Sequence, residues 1–171
     1  MAERKCIYIV EGECEEKLIG SLKEQPSLIK QGKIKRFNVI QNELKKSLLM
    51  TFAPGSTVIL VFDTDVEITD ALKKNIELLK EYCSGIDVKT VAEVRCFEDE
   101  IERSTDVSRA EDLTKSANLS GFKAKINRMN AEKLRIILNK HSFNIEKLWI
   151  KDPPKSFGFL TQDGRKIKTK G

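Results

Sequence analysis

Two stretches of the chain are apolar at every position. Cys6-Ile7-Tyr8-Ile9-Val10 and Thr57-Val58-Ile59-Leu60-Val61-Phe62, after its opening threonine, have the length and β-branched content of strands buried on both faces. Phe37-Asn38-Val39-Ile40 and Val88 to Val94 read as two further strands. Between them the pattern changes period. Glu13 to Lys23 places Cys14, Leu18, Ile19 and Leu22 on one side of a helix, and a segment from about Thr69 does the same with Leu72, Ile76, Leu79 and Cys83. Asn42 is placed to cap a short helix carrying Leu44, Leu48 and Leu49. Pro26 with Gly32, Pro54-Gly55-Ser56 and Ser84-Gly85 punctuate these elements.

This alternation predicts an α/β fold, a mostly parallel central sheet flanked by helices. Gly121 to Lys140 reads as largely helical, with Phe122, Ile126, Met129, Leu134, Ile137 and Leu138 as its buried stripe. Asp152-Pro153-Pro154 breaks structure, Phe157 to Leu160 either docks or stays loose, and Lys166 to Gly171 reads as a polar tail. The expected organisation is an α/β unit over residues 1–104 and a mostly helical, basic extension with a tail over 105–171.

Ligand sites in open α/β sheets lie beyond the C-terminal ends of the strands, and acids stand there in this chain. The apolar run to Phe62 passes directly into Asp63-Thr64-Asp65, and Val10 into Glu11-Gly12. Glu15 follows in the first turn of the next helix, and Glu98 and Asp99 follow the last strand. Carboxylates beside a core repel one another unless protons or a cation intervene, and their hard oxygens suit Mg²⁺ or Mn²⁺. Glu11, Glu15, Asp63, Asp65 and one of Glu98 or Asp99 are enough oxygen donors for one ion or two. A helix cap or an Asx turn is the plainer reading of each acid pair alone.

Charge adds a second feature. The net charge of +5 is divided unevenly, with 18 basic and 22 acidic residues in 1–119 but 13 basic and 4 acidic in 120–171. Candidate phosphate contacts are Arg95, Arg103, Lys123, Lys125, Arg128, Lys133 and Arg135, with Lys140 beside them and Lys166, Lys168 and Lys170 as a non-specific supplement. Cys6, Cys14, Cys83 and Cys96 form no CxxC pair and read as reduced thiols. No run is long enough to cross a bilayer and the N-terminus lacks a signal-peptide core, so a cytoplasmic location is expected. There is no P-loop, no GxGxxG fingerprint and no partner pattern that would make His141 part of a nucleophilic triad.

Ile7-Tyr8-Ile9-Val10-Glu11-Gly12 and Val58-Ile59-Leu60-Val61-Phe62-Asp63-Thr64-Asp65 together resemble the motifs of the TOPRIM family, over about residues 5–104. By that resemblance Glu11 is the acid that ligates metal or moves a proton, and Asp63 and Asp65 coordinate Mg²⁺. Glu11-Gly12-Glu13-Cys14-Glu15 and Cys96-Phe97-Glu98 are closest in style to OLD-family nucleases and RloB-like defence proteins, which favours Glu98 as the late acid. The ATPase portion of OLD proteins and a topoisomerase tyrosine module are absent from the sequence. The resemblance implies a Mg²⁺-dependent nuclease or related phosphoryl-transfer enzyme acting on DNA or RNA, with a role in phage defence. The alternative is a non-catalytic nucleic-acid-binding or regulatory module working with a partner protein such as an ATPase. A homodimer is compatible with either.

Overall fold

A computed structural model describes residues 5–24 and 26–169. Met1 to Arg4, Lys170 and Gly171 lie outside the described residues, and with them the expectations for the extreme N-terminus and the last lysine. Within the described residues four strands form one parallel sheet: β1 (Cys6–Val10), β2 (Gly32–Arg36), β3 (Thr57–Asp63) and β4 (Asp87–Glu93), in the order β2-β1-β3-β4. Among the described residues seven helices accompany them: α1 (Glu13–Lys23), α2 (Lys46–Leu49), α3 (Asp70–Tyr82), α4 (Phe97–Ser104), α5 (Ala110–Leu113), α6 (Leu119–Arg128) and α7 (Ala131–Lys140). The expected mixed α/β fold with a parallel sheet is present.

Side chains alternate across the sheet and build two cores. Tyr8, Val10, Ile59, Val61 and Val91 face α1 and α4 to α7, together with Trp149 and Ile167. Ile7, Ile9, Val58, Leu60, Phe62 and Ala92 face α2 and α3, together with Phe157. From β1 the chain moves outward to β2, then crosses to the other side for β3 and β4. Opposite directions of travel put α1 and α3 on opposite faces, as right-handed crossovers require. The switch point therefore falls between the ends of β1 and β3, where Glu11 and Asp63 stand.

The second strand is not Phe37–Ile40 but the lysine-rich Gly32–Arg36. The Asn38 side chain accepts from the N–H groups of Ile40 and Gln41, both at 3.0 Å, and folds 38–41 into a turn that still buries Val39 and Ile40. Asn42 does not cap a helix either; α2 starts after Lys45, and the Asn42 carbonyl accepts from buried Asn75 Nδ2 at 2.8 Å. Residues 121–140 form two helices, because Asn130 Oδ1 accepts from Lys133 N–H and starts a new one. Residues 164–168, which include the start of the expected polar tail, pack onto the fold. Gly164–Ile167 is a 3₁₀ turn, Ile167 is fully buried, and Lys168 pairs with Ile29 in an antiparallel bridge.

That returning segment closes the free edge of β4. Asp163 N–H donates to Thr90 O (2.8 Å) and Asp163 Oδ2 accepts from Thr90 N–H (3.0 Å). The Gln162 side chain bonds both the N–H and the carbonyl of Ala92, at 3.2 and 2.7 Å. Two side chains thus satisfy backbone groups that a fifth strand would otherwise take. Among the described residues no helix is long and apolar enough to cross a membrane.

Candidate metal centre

The site begins with three parallel strands that each end in an acid. β1 leads into Glu11, β3 ends at Asp63 and β4 ends at Glu93, which is the register partner of Asp63. Glu15 reaches the same point from the first turn of α1. One carboxylate oxygen each from Glu15, Asp63 and Glu93 lie within 4.8 Å of one another. Gly12 makes room for this: a Cβ there would stand 3.0 Å from Glu15 Oε2.

Glu93 is absent from the sequence-derived set, yet it is the most enclosed of the three, with no exposed surface. Its Oε1 accepts from the Trp149 indole Nε1–H at 3.2 Å, whereas its Oε2 and Asp63 Oδ1 are buried with no hydrogen-bond partner. Orphaned buried carboxylate oxygens are costly and call for a proton or a cation. Trp149 is held in turn by Glu100, whose Oε2 accepts from its backbone N–H at 3.0 Å. Glu100 Oε1 accepts from Val94 N–H (3.1 Å) and from Arg103 Nη2 (2.5 Å). The signal for Glu93 lay in Val91-Ala92-Glu93: a third strand ending in an acid, like the other two.

Electrostatics follow from this enclosure. Burial pushes Asp63 up to about 8; the Glu93 carboxyl beside it opposes the rise when it carries the proton, and the charges of Glu11, Glu15 and Asp65 add to it. Burial also pushes Glu93 well above the usual carboxylate range, reinforced by Glu15 and Asp63. Glu15 rises chiefly from burial, partly offset by backbone N–H groups of the α1 first turn. The enclosure therefore favours protons on the cluster, and a divalent cation is the other source of compensating charge. The donors are all carboxylate oxygens, the chemistry Mg²⁺ and Mn²⁺ accept.

The other expected residues sit in different places. Glu11 is next to the centre, but both its oxygens are engaged: Oε1 accepts from Asn38 Nδ2 (2.9 Å) and Oε2 from Asp63 N–H (3.0 Å). It locks the end of β3 to β1, and burial raises its pKa. Asp65 is exposed at the rim, near enough for its charge to act on Glu11 and Asp63. Between them, Thr64 straps β3 to β4, its Oγ1 donating to Glu93 O (3.2 Å) and accepting from Arg95 N–H (2.9 Å). Glu98 and Asp99 occupy the first turn of α4 and turn to cations. Glu98 pairs with Lys123 at 2.7 Å and Asp99 with Arg95 at 3.1 Å. Burial of Glu98 works against its ionisation, but Lys123 wins and holds it below the ordinary value.

Of the expected phosphate contacts only Lys123 lines the carboxylate cleft, a space of about 280 Å³ shared with Glu11, Glu15, Asp63 and Asn127. Arg103 is committed to Glu100 and Val94 O. Arg135 staples the end of α1, donating to Ser21 O, Glu24 O and Pro26 O. Lys125, Arg128 and Lys133 line a separate concavity. Cys14 donates to Asn127 Oδ1 at 3.2 Å beside the cleft, and burial pushes its thiol up to about 12, so it is no thiolate ligand at neutral pH. Comparison of the chain with protein-family models, curated proteins and solved structures gives no match.

Proposed function

We propose that the protein is a Mg²⁺- or Mn²⁺-dependent phosphoryl-transfer enzyme that cleaves nucleic-acid phosphodiesters, a TOPRIM-like nuclease in keeping with its Glu11-Gly12 and Asp63-Thr64-Asp65 motifs. The observation that carries this reading is the convergence of Glu15, Asp63 and Glu93 oxygens within 4.8 Å, with two of their buried oxygens unpartnered. A divalent ion held there supplies polarisation of a phosphate oxygen and a more acidic water. The chain's own groups do the rest. Glu15, Asp63 and Glu93 bind, Trp149 orients Glu93, and Glu11 fixes the Asp63 backbone. Lys123 puts a positive charge at the cleft where a phosphate enters, and its pairing with Glu98 holds it protonated. By the resemblance to OLD and RloB-like proteins, the proposal extends to phage defence.

The test is Mn²⁺ binding by calorimetry alongside cleavage of labelled single- and double-stranded DNA and RNA. Asp63→Asn and Glu93→Gln are expected to lose both. Cleavage that persists undiminished in both variants would count decisively against the proposal. Salt-sensitive binding without cleavage by the wild type would favour a non-catalytic module.

A further inference from the structure

We propose that the concavity between α5, α6 and α7 is a track for an unpaired nucleic-acid strand that passes the metal centre; this rests on the nucleic-acid reading above. The space measures about 830 Å³, and Lys115, Lys125, Arg128, Lys133 and Lys140 line it without a single carboxylate. Lys115, Arg128, Lys133 and Lys140 form no ion pair among the described residues, and two acids on the adjoining segments are turned to other groups. Asp112 pairs with Arg109 at 3.0 Å, and Asp106 with His141 at 3.1 Å. Lys125 secures the wall, donating to Thr114 O and Lys115 O at 2.9 and 3.0 Å. Like charges gathered around a hollow whose lining carries no carboxylate form a site whose missing component is a polyanion.

The shape selects the kind of polyanion. A duplex presents a convex wall of phosphates that a concavity of this size does not accept, whereas a flexible strand lays its backbone inside one. The floor contains Met129 and Ile137, apolar surface for sugars, and no Phe, Tyr or Trp to read or stack bases, so binding is indifferent to sequence. Helix α6 joins this hollow to the metal centre. It carries Lys123 and Asn127 on the carboxylate cleft and Lys125 and Arg128 on the track. Lys123 and Arg128 are five positions apart, about 7.5 Å along the axis and about 140° around it, so a strand that reaches both bends around α6 from the track to the cleft.

The experiment is fluorescence anisotropy with the full chain, a labelled mixed-sequence 12-nucleotide strand and EDTA, over a range of salt. Arg128→Ala/Lys133→Ala changes two exposed side chains. It is expected to weaken binding about tenfold at low salt and to flatten the salt slope by about 1.4, two phosphates at about 0.7 each for single strands. Mn²⁺ binding of this variant should match wild type, and Asp63→Asn should bind the strand as wild type does. Unchanged strand binding by the double variant overturns the track, as does equal or tighter binding of a duplex. Displacement of the strand by an equimolar amount of tripolyphosphate overturns it in favour of a small polyanion. Strand binding that depends on Arg128 and Lys133 in a protein that binds no Mn²⁺ would sustain the track while removing the enzymatic reading.

Discussion

Glu93→Gln probes the centre at the residue the motifs do not contain. The change is nearly isosteric, and the amide oxygen can still accept from Trp149, so the fold is expected to persist. In the wild type, oxygens of Glu93, Asp63 and Glu15 converge within 4.8 Å. Two unit charges at that distance repel by about 3 kcal/mol at an effective dielectric of about 20. The metal-free protein avoids this by keeping protons. Asp63 has its folded pKa raised to about 8, against about 3.9 in an unfolded chain. The folded state thus binds a proton that the unfolded chain has released. The resulting stability is complete below about pH 4 and is lost as pH rises through about 8. Between pH 6 and pH 8 the loss is on the order of 2 kcal/mol, a fall in Tm of about 5 °C. Mn²⁺ at about a hundred times its Kd adds about 2.7 kcal/mol, and the rise should be larger at pH 8, where fewer protons compete. Glu93→Gln should flatten the metal-free pH dependence and lose most of the Mn²⁺ shift. Thermal melts followed by circular dichroism at pH 6 and pH 8, with EDTA or Mn²⁺, measure all four states. An Mn²⁺ shift in Glu93→Gln equal to that of wild type, or a wild-type shift that does not grow with pH, would refute the reasoning.

Trp149→Phe keeps an aromatic ring but removes the pyrrole part of the indole with its Nε1–H, leaving Glu93 Oε1 without its donor; a loss of about 1–3 kcal/mol in EDTA and weaker Mn²⁺ binding are expected from melts and calorimetry. Asn75→Ala removes a buried side chain that donates to Val39 O and Asn42 O and accepts from Leu44 N–H. Urea unfolding should register about 2–4 kcal/mol, with Mn²⁺ affinity unchanged. Asp163→Ala strips the cap from Thr90 N–H on the β4 edge and should produce concentration-dependent association by light scattering, at a cost of about 1–3 kcal/mol. Arg135→Ala should cost about 1–2 kcal/mol by loosening the end of α1, while the strand-binding anisotropy stays at the wild-type value.

The two halves of the chain meet at Glu93. The strand that carries it belongs to the α/β core, but the groups that hold it, Trp149 and then Glu100 and Arg103, bring the C-terminal segment into the centre. Gly164 tightens that connection, because a Cβ there would stand 2.0 Å from Trp149 O. Residues that look like a basic appendage in sequence therefore support the position of a buried acid.

Elements that rest on short-range periodicity are legible in the chain alone. β1 and α1 match their expected bounds, β3 runs one residue further at its C-terminal end, β4 is shifted by one residue at both ends, and α3 begins one residue after Thr69. A run apolar at every position has few alternatives to a central strand, and an acid ending such a run announces its place. Local hydrogen bonding was harder to foresee: Asn38 and Asn130 redirect the backbone at Phe37–Ile40 and between α6 and α7, where hydrophobic pattern alone favoured continuity. Which acids meet is a matter of long-range packing. Strand order and register set Glu93 opposite Asp63, Glu11 became a lock on the Asp63 amide, and Lys123 drew Glu98 aside. These outcomes depend on contacts between residues tens of positions apart, selected by how the helices and the returning C-terminal segment pack on the sheet.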